Sequence, residues 1–382
     1  EGGRSLGGAA LLSGLGRMRL LALRVLLAIS LAEGVHSAAT HGDACGGVVP
    51  LSCAATASCA VQITQAVMRC SQSGGGTVHL AAGTYHLNDT GAAFGQFAPM
   101  LQLGGVHNVV LAGHPGAAYA SSGYQQPNAD PSATTLLIHG LRGGVLLQDS
   151  SGVTFSGLQV DMARMPYTYG RCTAATGSTM TVQFDSTAYP YDADSVTRNP
   201  WLMQVTDVNL FDTFNWRIGE GSTIAASLLH EDFFAVHLDA PGQLTLQGIG
   251  LSQGIVVGSD YLLRNTYYGA GGFRLSNCTG TDISNVTLWT VAGMGFMVAE
   301  SSDTSLTDVA VTRRPGRPLS GCADASHFDE TSGYIRMLRF RADGQGDDGL
   351  NVHGVYLLPP IIVRHQQTAE PAREREILSA SK

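Results

Sequence analysis

One recurring unit, a polar corner followed by an alternating strand-like run, constrains this chain more than any other feature. It occurs as Gln148-Asp149-Ser150-Ser151-Gly152-Val153-Thr154-Phe155, as Ser276-Asn277-Cys278-Thr279-Gly280-Thr281-Asp282-Ile283 and as Glu300-Ser301-Ser302-Asp303-Thr304-Ser305-Leu306. Aligning the apolar positions read as inward gives Phe273, Phe296, Phe328 and Leu350, at steps of 23, 32 and 22 residues. The longest step holds Arg313-Arg314-Pro315-Gly316-Arg317-Pro318 and reads as a coil with a loop extension. Units of this size made of short strands cannot bury an apolar face alone; they must stack on one another. The expected fold is all-β, a parallel β-solenoid, with an ordinary sandwich as the competing reading.

Upstream runs fit the same picture. Thr77–Leu80, Thr84–Leu87, Met100–Leu103 and Asn108–Gly113 are brief and apolar, punctuated by Gly and Asn. Ahead of them, Ser58 to Cys70 has the spacing of one amphipathic helix, stopped by Gly74-Gly75-Gly76. Between about Met165 and Tyr268 the coil signal lapses. That stretch carries 14 of the 27 aromatic residues and the alternating runs Thr179–Phe184 and Gln243–Leu246, and it reads as an inserted small antiparallel β-domain, barrel-like in character. The expected division is a signal peptide with upstream residues (1–37), an N-terminal cap and first coils (38–164), the insertion (165–268), coils carrying the site (269–358) and an irregular tail (359–382). The tail cannot continue the coil, so the chain reads as part of a longer protein or as one with a misread end.

With 22 basic against 30 acidic residues and no basic block, nothing offers a footprint for a phosphate backbone, and nucleic acid is not an expected partner. From Met18 to Ala32 a positive start leads into a short apolar run, and small residues follow near Ser37. This pattern predicts a secretory signal and an extracellular protein with no membrane contact after cleavage. A membrane anchor is the weaker alternative, because Arg24 interrupts a run already too short to span. Secretion suits Cys45, Cys53, Cys59 and Cys70, expected to form two disulfides, while Cys172, Cys278 and Cys322 are scattered. Asn88, Asn277 and Asn285 begin glycosylation tripeptides.

The chemistry concentrates in Ala323-Asp324-Ala325-Ser326-His327-Phe328 and, one coil later, Gly346-Asp347-Asp348-Gly349-Leu350-Asn351-Val352-His353-Gly354. Stacking should gather Asp324, Asp347 and Asp348 into one patch. Adjacent strand residues face opposite ways, so Asp347 and Asp348 share a groove only if the backbone bends, which Gly346 and Gly349 would permit. Close carboxylates raise one another's pKa, so one can remain an acid while another acts as base, the division that glycosidic cleavage needs. An acidic turn or a Ca²⁺ site is the alternative. Candidate sugar contacts are His327, His353, Asn351, Arg313 with Arg314, and Trp289, whose ring could stack on a pyranose. Nucleophile-elbow, phosphate-loop and zinc-helix motifs do not occur, and no cofactor or metal is expected.

These two segments, with Gly75-Gly76-Thr77-Val78-His79-Leu80-Ala81-Ala82-Gly83-Thr84-Tyr85, Leu262-Leu263-Arg264-Asn265-Thr266-Tyr267-Tyr268-Gly269, Ala292-Gly293-Met294-Gly295-Phe296 and Arg313-Arg314-Pro315-Gly316-Arg317, carry a resemblance. The chain resembles the right-handed parallel β-helix enzymes of the pectate lyase-like superfamily, and among them the exo-acting α-1,3-galactosidases of glycoside hydrolase family 110. The resemblance implies metal-independent removal of terminal α-linked galactose from a glycan, with inversion. Related polygalacturonases suggest Asp347 as the acid, with Asp324 and Asp348 activating water. Two rival readings are a Ca²⁺-dependent polysaccharide lyase on the same scaffold and a secreted, non-catalytic carbohydrate-binding solenoid. Oligomeric state and the physiological glycan are left open.

Overall fold

The computed structural model describes residues 45–354, except 46, 50–58, 89–97, 115–131, 177, 192–200, 206–233, 249–254, 265–270 and 315. The expected leader, Cys53 and the tail lie outside the described residues.

Helix formation begins where Cys59, Ala60, Ile63, Val67 and Cys70 recur on one face, and the helix Cys59–Gln72 buries all five. It stops because Gly74 and Gly75 adopt φ of 95° and 110°, which only glycine takes without strain, and the Gly75 amide donates back to the Cys70 carbonyl. A Cys45–Cys70 disulfide ties the helix to the chain before it, and Cys59 is also disulfide-bonded. Cys172, Cys278 and Cys322 are free and buried.

The rest of the described chain is β, in three sheets. One, called here the site sheet, orders Asn351–His353, Ser326–Asp329, Phe296–Ala299, Phe273–Ser276, Gly143–Gln148 and Pro99–Gly104, every neighbouring pair parallel. A second, eleven-stranded sheet is likewise paired in parallel and includes the long strands Thr279–Leu288 and Ser302–Val311. The chain leaves a strand of the site sheet, turns into the second sheet, and returns beside its own previous pass.

Left-handed residues make those turns. Gly105, Asp149, Asn277, Glu300 and Glu330 each follow a site-sheet strand and have φ between 50° and 64°. A second column, Gly157, Asn285, Asp308 and Arg339, bends the second sheet in the same way. The polar corners seen in the sequence owe their composition to this geometry, since Asn, Asp and Gly enter the left-handed region most cheaply. Corner hydroxyls then link successive passes: Ser150 Oγ accepts from the Val106 amide, and Ser301 Oγ accepts from the Cys278 amide at 3.0 Å.

Inside, Phe155 packs edge-on against Phe273, which stacks on Phe296 with centroids 5.5 Å apart. The register differs from the sequence alignment after that point. Phe273 pairs with Phe296, but Phe296 pairs with Ser326, and Phe328 pairs with Val352 rather than Leu350, giving steps of 30 and 24 residues. The alignment slipped by two because side chains alternate with period two, so a two-residue shift preserves every face and looks equally apolar. Leu350 and Val352 are 51% and 55% exposed.

The third sheet is antiparallel, in the order Trp201–Val205, Asp260–Arg264, Tyr167–Thr176, Thr179–Phe184, Gln243–Gly248, Phe234–Ala240. Its residues fall within the stretch where the coil signal lapsed, and Cys172, Met180, Val182, Leu244, Leu246 and Leu263 form a small core of their own. Phe296→Ala should cost about 3–5 kcal/mol of unfolding free energy, whereas Leu350→Ala should change it by less than about 0.5 kcal/mol. Chemical denaturation of both variants checks the contrast.

Candidate active site

Asp324 and the Asp347-Asp348 pair lie where the chain enters consecutive strands of the site sheet. Backbone bonds run between the two entry segments: Ser320 N to Gly344 O, Gly346 N to Gly321 O, and Ala325 N to Asp348 O, all 2.8 Å. Continuing the register of His327 with Asn351 makes Asp324 and Asp348 equivalent positions on adjacent strands, with Asp347 one residue earlier. Asp347 sits in a bend, as a shared hollow requires. Gly346 serves this bend through space rather than a left-handed φ: a Cβ there would lie 2.7 Å from both Arg264 Nη1 and the Cys322 carbonyl oxygen.

Burial separates the three acids. Asp324 is 2% exposed, while Asp347 and Asp348 face solvent. Removal from water raises the Asp324 pKa above the usual carboxylate range; the His327 hydrogen bond opposes that shift, and the charges of Asp347 and Asp348 reinforce it.

His327 and His353 belong to the same cluster. His327 Nδ1 lies 2.6 Å from Asp324 Oδ2, its Nε2 lies 2.8 Å from His353 Nε2, and His353 Nδ1 lies 3.3 Å from Asp329 Oδ1. Two facing Nε2 atoms can bond only by sharing one proton. With Asp324 ionised, His327 Nδ1 donates to it, so the sequence's candidate sugar ligands are engaged with an acid and with each other. Asn351 stands beside His327 in register and is half-buried. Asp329, which the sequence reading did not single out, closes the row; its cue was its position two residues after His327, on the same face of the strand.

Arg313, Arg314 and Trp289 are placed differently from the expectation of a sugar pocket. Arg313 is 1% exposed and pairs with Asp343 at 3.3 Å. Trp289 is fully buried, donates from Nε1 to Gln159 Oε1, and carries the Arg314 guanidinium 4.7 Å from its ring centroid. Its faces are therefore occupied. Arg314 and Arg317 both bond the buried Asp161, at 2.6 and 2.5 Å. Among the described residues, no group of three or more His, Cys, Asp or Glu could hold a metal ion.

No protein-family model matches the chain. Parts of the chain are similar to several curated relatives. Alpha-1,3-galactosidase B of Akkermansia muciniphila is 26% identical over 304 residues, 76% of this chain and 36% of that protein. The proteins of the same name from Phocaeicola vulgatus and Bacteroides thetaiotaomicron are 34% identical over 103 residues and 22% identical over 251. Those matches cover 26% and 59% of this chain and 17% and 38% of the relatives. The chain thus spans about a third of the length of the first of these relatives. All three carry the name of a glycoside hydrolase.

The raised pKa makes a prediction about stability. The folded state holds a proton on Asp324 more tightly than the unfolded chain does, so stability falls as pH rises through the window between the ordinary and the raised value, and the penalty is complete above it. Asp324→Asn should therefore melt higher than the parent at pH 7, and the difference should vanish near about pH 4. Thermal melts across that range test the sign.

Proposed function

We propose that this protein is a secreted, exo-acting glycoside hydrolase that removes terminal α-1,3-linked galactose from glycans by an inverting, metal-independent reaction. The observation that carries the reading is geometric: Asp324 and the Asp347-Asp348 pair lie on hydrogen-bonded entry segments of adjacent parallel strands, with Asp324 and Asp348 at equivalent positions. The name shared by the three relatives supports it. In this reading the fold is a right-handed parallel β-helix whose hollow is lined by the entry segments, and the antiparallel sheet is a barrel-like insertion in it.

The chemistry divides among the acids. Inversion needs one carboxylic acid to protonate the glycosidic oxygen and a carboxylate on the opposite side of the ring to take a proton from the attacking water. Related polygalacturonases suggest Asp347 for the first role and Asp324 with Asp348 for the second. The exposure of Asp347 suits a group that must regain its proton from solvent after each turnover. The bond from His327 Nδ1 fixes the orientation of the buried Asp324 carboxylate. Asn351 and the outer edges of His327 and His353 are the remaining polar groups available to sugar hydroxyls.

Incubation with p-nitrophenyl α-galactoside and an α-1,3-linked galactose disaccharide should release galactose equally with and without EDTA, the β-anomer appearing first by NMR. Loss of release in EDTA, with unsaturated product from a uronan, would identify a lyase; no turnover on any of these would leave a binding protein. Asp324→Asn should lower turnover of both galactosides by about 10²–10⁴-fold. Asp347→Asn should do so for the disaccharide while sparing the aryl glycoside, whose leaving group needs little protonation. Retained activity on both substrates in both variants rules this site out.

A further inference from the structure

We infer that Arg264 is a positioning residue that sets the spacing of the acid-bearing segments, an inference that rests on the hydrolase reading for its kinetic part alone. Arg264 ends the strand Asp260–Arg264 of the antiparallel sheet, after the apolar run Tyr261-Leu262-Leu263, and is fully buried. A guanidinium is costly to bury, and in a purely structural place an apolar side chain of similar volume serves as well or better. Its donors explain its presence. Nη1 donates to the Cys322 carbonyl and, at 3.0 Å, to the Gly346 carbonyl. Cys322 lies two residues before Asp324, and Gly346 immediately precedes Asp347. One nitrogen therefore joins the two entry segments just where each delivers its acid.

Two further contacts follow the same line from the same sheet. Tyr167, paired in register with Arg264, donates its hydroxyl to the Leu319 carbonyl at 3.3 Å, and the Cys322 thiol meets the Pro166 carbonyl at 3.8 Å. Gly346 fits from the opposite side, since any Cβ would collide with the Arg264 nitrogen. Arg264 meets these segments at backbone carbonyls, two residues before Asp324 and one before Asp347, so it bears on the acids through backbone geometry.

The test combines exchange and kinetics on Arg264→Met, Arg264→Lys and Gly346→Ala. The first deletes the donors while keeping bulk, the second restores one cationic donor on a different stem, and the third wedges the contact apart without touching the arginine. Peptide-level hydrogen exchange should show faster exchange of the Gly346 and Ala325 amides in Arg264→Met and Gly346→Ala, with Arg264→Lys intermediate and the strand Thr179–Phe184 unchanged. Turnover should fall about 10- to 100-fold at little change in KM, as expected for small misplacement of reacting groups. Unchanged exchange at the two amides in both Arg264→Met and Gly346→Ala overturns the inference, as does equal loosening of Thr179–Phe184, which would mark a general packing role. If Arg264→Met fails to fold, Gly346→Ala decides alone. A parent without turnover refutes the hydrolase reading and leaves the exchange result to decide the positioning role.

Discussion

Parallel self-pairing of the segments entering the site sheet is the constraint on which the remainder depends. Gly144, Gly272 and Gly295 occupy one column, and a Cβ on each would approach the carbonyl of the neighbouring pass to between 2.4 and 2.8 Å. Ala325 continues that column. Small residues there let the backbones close to bonding distance, and the acids stand one step before them. A larger residue at these positions would push the passes apart and the carboxylates with them. The same tightness buries Asp324, which bonds to His327, and burying a carboxylate is unfavourable for stability.

A frame of polar groups, each including a buried member (Asp161, Arg313 or Arg264), accompanies this arrangement. Asp161 with Arg314 and Arg317, Arg313 with Asp343, and Arg264 with two carbonyls all lie beneath or beside the entry segments. Truncating one partner of such a group leaves the other buried without its match, which usually costs more than the pair contributes. The cluster of arginines that looked like a sugar-binding loop is part of this frame, and Trp289 is its wall.

What the sequence made legible follows from how far each signal travels along the chain. Corner chemistry is local: Asp149 and Asn277 advertised their turns because few residue types accept a left-handed backbone. Alternation is local too, and it located strands from Gly76–Leu80 to Gln243–Gly248 to within a residue or two. Register is not local. Phe328 aligned with Leu350 as plausibly as with Val352, because the two differ by a full pleat. The three acids were legible as neighbours on adjacent passes because a slip of two residues still leaves Asp324 beside the Asp347-Asp348 pair. Trp289 and Arg313 were misplaced for the opposite reason, because residue type gives no information on whether a side chain points at solvent or into a layer. Arg264 was the harder case: its role depends on contacts with residues 58 and 82 positions away. A single charge ending an apolar strand was the one hint available.

The unequal repeat length has an evolutionary corollary. Successive passes of 23, 30 and 24 residues keep the same pairing, because the surplus of the middle one is spent in the stretch around Arg314 and Arg317, which both clasp Asp161. Insertions at that point are thermodynamically cheap. A scaffold that tolerates variable excursions at one corner can remodel the rim around its acids while the stacked framework and the acids themselves stay put.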